Sequence, residues 1–174
     1  AHHHSGKFER YRYDTEQGSS PRSVPGQSGG RFLASGNEHW PAGHIAEDPD
    51  NRVAQMNRRM SKLTNIREEL DERGQDESNQ SYHGPEDAEY GIMTWGSQQG
   101  TVEEAVDRLN EAGHSVKSIS VSDMVPFPER EVVDFLESVE SCLVVEMNAT
   151  AQFKRHVQGC LGRFGPKMSS LLKY

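Results

Sequence analysis

The 174 residues carry 27 acidic against 19 basic side chains, a formal net charge of −8, and are 33% hydrophobic and 26% charged. That balance disfavours nonspecific nucleic-acid binding, no apolar run approaches the roughly 18–20 residues of a membrane span, and no basic-then-apolar leader opens the chain. The expectation is a cytoplasmic protein with neither nucleic-acid nor membrane partners. Leu, Ile, Val and Phe total 32, of which 9 lie in residues 1–83 and 23 in residues 84–174, so only the second half holds enough to bury a normal core by itself.

Residues 1–6, Ala-His-His-His-Ser-Gly, read as a tag remnant and are set aside. Residues 14–44 are rich in Gly, Ser and Pro, with one short strand candidate at Arg31–Ser35. Within them Ser20-Pro21-Arg22 before Pro25-Gly26 is a rigid turn holding an arginine, the usual clamp for a carboxylate, although a plain surface turn has the same composition. Glu38 to His44, with Glu47 and Asp48 behind, gathers two imidazoles and several carboxylates. His39 and His44 stand five apart in a Gly/Pro loop instead of on one helix face, so the geometry of a zinc site is not predicted and an interface or active-site loop is the alternative to solvated polar residues.

A long helix is predicted next, with Asp48 as its cap and Pro49 at its first position. Val53, Met56, Met60, Leu63, Ile66 and Leu70 recur every three or four residues as a narrow apolar stripe, up to Gly74. Residues 74–83 are polar throughout and read as a linker.

From Gly84 the pattern is strand, helix, strand, helix, strand, helix. Tyr90–Thr94, Val116–Val121 and Cys142–Glu146 are the strands. The helices run from Thr101, taken as a cap, to Gly113, from Glu129 to Val139, and from Thr150 to Cys160. Strands apolar on both faces alternating with helices predict an α/β domain of three layers with a mainly parallel sheet, preceded by an irregular arm and a long helix.

Chemistry-bearing groups are sparse. The loop WGSQQG, residues 95–100, follows a strand and leads into a helix, where α/β folds place ligands, yet it matches neither dinucleotide nor P-loop spacing. Gly96, Ser97 and Gly100 are therefore either a structural turn or subunit contact, or a ligand-contacting loop, and a non-catalytic module holding a phosphate-bearing ligand there is the alternative reading of the whole chain. Glu146, Asn148 and Gln152 follow the third strand, where a carboxylate is more often a helix cap or interface partner than a catalyst. Cys142 and Cys160 lack cluster or disulfide-scaffold spacing, and no catalytic or metal-ligating constellation is predicted.

Several strings together resemble a known family: SPRSVPG, SGNEHWPAGHIAEDPDNR with RVAQMNRRMSKL, YGIMTWGSQQG, SVSDMVPFP, LVVEMNATAQF and a final LLKY. In order and spacing over residues 7–174 they are similar to the C-terminal part of the α subunit of 2-oxoacid:ferredoxin oxidoreductases, especially those acting on 2-oxoglutarate. The resemblance implies that residues 84–174 are a domain like the C-terminal domain of transketolase. Residues 7–83 would be the arm, long helix and linker that end the preceding pyrimidine-binding domain. It further implies an enzyme using thiamine diphosphate, [4Fe–4S] clusters and coenzyme A, with a β subunit as partner and ferredoxin as acceptor, none of these cofactors being held by this stretch alone. Arg22, His39 and His44, the loop of Gly96, Ser97 and Gly100, and the rim of Glu146, Asn148 and Gln152 are the expected substrate or interface contacts.

Overall fold

The computed structural model describes residues 8–13, 18–72 and 79–174. The tag-like opening and positions 74–78 of the expected linker lie outside the described residues. Chain contacts divide the molecule into two compact units, Ala1–Glu69 and Leu70–Tyr174.

The second unit is built on a five-stranded sheet of order β3-β5-β4-β6-β7, formed by Ser81–His83 (β3), Tyr90–Trp95 (β4), Val116–Val121 (β5), Ser141–Glu146 (β6) and Met168–Leu172 (β7). β4, β5, β6 and β7 are mutually parallel, and only the short edge strand β3 runs antiparallel, Tyr82 facing Ile119 of β5. Helices α2 (Gln99–Glu111), α3 (Glu129–Glu137) and α4 (Gln152–Cys160) supply the outer layers. On one face Val102 and Val106 of α2 pack with Ile92 and Val116. On the other, α3 and α4 bring Val132, Phe135, Leu136, Phe153 and Val157 onto Met93, Ile119, Val121, Cys142 and Val144. The three-layer, mainly parallel α/β architecture is as expected, because each central strand offers apolar side chains to both faces. At Gly91 there is no room for a side chain: a Cβ there would lie 2.9 Å from a ring carbon of Phe135.

Four local expectations need correction. Arg31–Ser35 is not a strand. The expected linker is cut short by β3, a polar segment that pairs through its backbone and so carries no hydrophobic signal. β7 was not expected either: Met168-Ser169-Ser170-Leu171-Leu172 sits at the other edge, where half the residues can be polar. Thr101 does not cap α2, which begins two residues earlier at Gln99 after a short 3₁₀ turn.

The first unit has a different basis. Its helix α1 (Pro49–Glu72) starts as predicted, the Asp48 carboxylate accepting the Asn51 backbone N–H at 2.7 Å. The face it buries, however, is polar. Gln55 is fully buried and Asn51 nearly so, whereas Val53 and Met60 of the apolar stripe are more than half exposed. Gln55 Nε2 donates to the carbonyls of Tyr11 (2.7 Å) and His39 (3.2 Å), and Gln55 Oε1 accepts from Arg58 Nε at 2.9 Å. Arg58 also reaches Ser20 Oγ at 2.9 Å. A hairpin of Glu38–His39 (β1) and Ile45–Ala46 (β2) completes the unit. Its turn requires glycine at position 43, where φ is +94° and a Cβ would meet the Leu33 carbonyl oxygen at 2.8 Å.

Candidate functional site

In an open parallel sheet, ligands collect beyond the carboxyl ends of strands where the chain changes winding direction. Here that point lies between β4 and β6: the chain leaves β4 through α2 toward β5 on one side and leaves β6 through α4 toward β7 on the other. The fold thus brings two separate sets of expected contacts, Gly96, Ser97 and Gly100 after β4 and Glu146, Asn148 and Gln152 after β6, to one sheet edge. Thr94 Oγ1 ties the two strand ends by donating to the Val145 carbonyl at 2.9 Å. Trp95 closes the gap, its half-exposed ring 6.3 Å from that of Phe153 in the first turn of α4.

Glu146 is the most constrained group at this edge. It is 1% exposed, its carboxylate accepting the backbone N–H groups of Phe153 (2.8 Å) and Lys154 (3.2 Å) and the side-chain amide of Asn148 (2.6 Å). Asn148 Oδ1 in turn accepts from Thr150 N at 3.1 Å and Gln152 N at 3.3 Å. Together they satisfy donors that α4 cannot pair within itself, and the carboxylate also meets the positive end of the helix. These groups build the rim, and Glu146 uses both carboxylate oxygens in it. What faces solvent includes Trp95, Gly96, Ser97, Gly100, Met147 and the Gln152 side chain. Gly96 is needed for its backbone, φ +62°, whereas a Cβ at Gly100 would meet open space.

The remaining three expected contacts lie in the first unit. Arg22 is exposed on its turn and His44 is exposed in the hairpin loop. His39 is buried, its ring stacked on Tyr11 at 4.2 Å with 4° between planes, and its Nε2 lies 3.0 Å from the Ser35 carbonyl. A carbonyl only accepts, so Nε2 carries hydrogen there and the imidazole serves packing. Among the described residues no three His, Cys, Asp or Glu side chains are grouped to hold a metal ion.

Sequence reasoning placed Glu38 in this loop but missed its ion pair with α1. Arg59 holds its carboxylate bidentately, at 2.7 and 3.2 Å, and Arg52 approaches to 3.3 Å. The Arg59 hydrogen bonds keep this carboxyl below its ordinary value of 4.5, against an opposing effect of burial. A carboxyl whose folded pKa is lowered stabilises the fold above its unfolded pKa, and the contribution fades as pH falls through the folded one. With Arg59 partly exposed the effect is modest, about 0.5–1 kcal/mol. Urea unfolding followed at Trp40 should lose that amount as pH falls from neutral through the range where a free carboxyl protonates and on below it, and Glu38→Gln should flatten the loss; an unchanged pH slope in the variant would refute the pairing.

Comparison with known proteins gives this architecture a family. Residues 88–171 match the family described as pyruvate:ferredoxin oxidoreductase core domain II. Over most of its length the chain is similar to the α subunits of 2-oxoacid:ferredoxin oxidoreductases. It is 30% identical over 167 residues to 2-oxoacid:ferredoxin oxidoreductase 1, subunit alpha, of Sulfurisphaera tokodaii, which covers 96% of this chain and 25% of that protein. It is 32% identical over 142 residues to 2-oxoacid:ferredoxin oxidoreductase 2, subunit alpha, of Aeropyrum pernix, covering 81% of this chain and 21% of that protein. Among solved structures, 2-oxoglutarate:ferredoxin oxidoreductase from Magnetococcus marinus, with 2-oxoglutarate, coenzyme A and succinyl-CoA bound, matches at a TM-score of 0.73 and 28% identity over 98% of this chain and 29% of that one. The chain spans about a quarter of the length of these relatives. They favour the subunit reading and give no support to a free-standing phosphate-binding module.

Proposed function

We propose that this chain is the C-terminal part of the α subunit of a 2-oxoacid:ferredoxin oxidoreductase, with 2-oxoglutarate as the substrate, coenzyme A as acyl acceptor and ferredoxin as electron acceptor. The observation that carries the proposal is the match of both units, over 98% of the chain, to the 2-oxoglutarate enzyme. In that role the stretch supports assembly and shapes the approach to a cleft completed by a β subunit, in the cytoplasm. No helix among the described residues is long and apolar enough to cross a membrane, which is compatible with that setting.

The donor set of this chain does not fit the cofactors of the reaction. A [4Fe–4S] cluster takes four cysteine thiolates, and the sequence has two cysteines, one buried in the sheet. Thiamine diphosphate would supply the carbanion chemistry of decarboxylation, and no step of it is assigned to these residues. What they contribute is position: Arg22 as an exposed cation for a carboxylate, His39 and His44 in the hairpin beside the interface, Gly96, Ser97 and Gly100 as the accessible loop, and Glu146, Asn148 and Gln152 as the frame of the facing rim.

The test is dye reduction. Full-length α subunit co-purified with its β subunit should reduce a viologen when 2-oxoglutarate and coenzyme A are supplied, and this chain alone should not. Activity in the isolated chain, or an assembled enzyme indifferent to 2-oxoglutarate, would overturn the proposal.

A further inference from the structure

A cavity of about 490 Å³ opens under the β3 edge of the sheet, away from the β4–β6 crevice, walled by β3, β5 and α3. Tyr82 and Phe135 give it aromatic surface, and Glu86, Glu131 and Asp134 give it three carboxylates. The lysine in the wall, Lys117, is already engaged: its ammonium donates to the Glu86 carbonyl at 2.5 Å and lies 5.9 Å from the Phe135 ring centre. Glu131 stands apart from the other two acids. It is 8% exposed, lines the cavity, and has no hydrogen bond or ion pair among the described residues. Its carboxylate oxygens are open to the cavity, since the buried side-chain polar atom left without a partner among the described residues is Ser170 Oγ.

We propose that this cavity binds an organic cation, an ammonium or guanidinium group held by Glu131 and Asp134 against the faces of Tyr82 and Phe135. Carboxylates supply charge-assisted acceptors and the ring faces supply the negative side of their quadrupoles, a pairing that selects cations over neutral ligands. The volume suits a small organic molecule, and the carboxylates do not group as metal ligands do. Burial, followed by the charges of Glu131 and Asp134, pushes the Tyr82 phenol up to about 12, so the hydroxyl keeps its proton beside a bound cation at any ordinary pH.

Titration of the whole 174-residue chain with putrescine, followed by amide resonances, tests this. Saturable shifts are expected at Tyr82, Ser118, Asp134 and Ser138, unmatched by sodium chloride or magnesium chloride at equal ionic strength. Glu131→Gln and Asp134→Asn should each weaken binding about tenfold or more. Glu137→Gln, on the same helix but paired outward to Arg163 at 3.1 Å, should leave it unchanged. Asp134 is exposed, so its variant keeps the test open if Glu131→Gln fails to fold. Linear shifts, reproduction by either salt, or undiminished binding in the Glu131 or Asp134 variant would overturn the proposal.

Discussion

Replacing Glu146 by alanine should cost the sheet-containing unit about 2–4 kcal/mol, one of the two largest single-residue effects expected in this chain. Three donors lose their acceptor at once, two of them backbone N–H groups that α4 cannot satisfy internally, and the vacated space is buried. Glu146→Gln keeps one oxygen and turns an amide toward the donors, so a loss nearer 1–2 kcal/mol is expected. In urea denaturation followed by far-UV circular dichroism, both variants should lower the midpoint at constant slope. A shift below about 0.5 kcal/mol for the alanine variant would show that the cap is dispensable. Because Phe153 both takes this cap and packs near Trp95, the Trp95 emission should change in the alanine variant while the protein is still folded.

Gln55→Leu should destabilise the first unit by about 2–3 kcal/mol although it swaps a buried amide for an apolar group of similar size. The leucine would strand the Tyr11 carbonyl and Arg58 Nε, and leave the His39 carbonyl with the Asn51 amide alone. Met60→Gln, on the exposed apolar stripe of the same helix, is the contrast and should stay within about 0.5 kcal/mol. Thermal unfolding read at Trp40, which lies in the hairpin of this unit, separates the two. If Gln55→Leu were neutral and Met60→Gln harmful, the stripe and not the amide network would hold the arm together.

These two positions mark the limits of what pattern alone conveys. Glu146 could be read as a cap because its place, at the end of an apolar strand and just before a helix, is a local feature. Gln55 could not, since its partners at Tyr11 and His39 are 44 and 16 residues away and a glutamine on a helix ordinarily faces water. The stripe from Val53 to Leu70 is real as a pattern, with Val53, Met56 and Met60 exposed and Leu63, Ile66 and Leu70 half-buried, but periodicity says which residues share a face, and not what covers it. Likewise His39 and His44, five residues apart, part company, one stacked inside and one at the surface. The carboxylates of the β3 cavity come from the loop after β3 and from one face of α3, where Glu131 and Asp134 stand three apart, and only the fold brings Glu86 to them.

By itself the sequence determined the alternation of central strands and helices, hence the mainly parallel α/β sheet, the start of the long helix at Asp48-Pro49, and the resemblance to the family. Those features rest on local hydrophobic runs, capping chemistry and motif order, which need no knowledge of distant contacts. The tertiary structure alone decided the edge strands β3 and β7, the buried amide network of the first unit, the meeting of the β4 and β6 loops at one edge, and the acidic aromatic cavity. Each depends on backbone pairing or on side chains brought together from far along the chain, where burial and hydrogen-bond satisfaction are settled by what arrives opposite and leave no periodic trace.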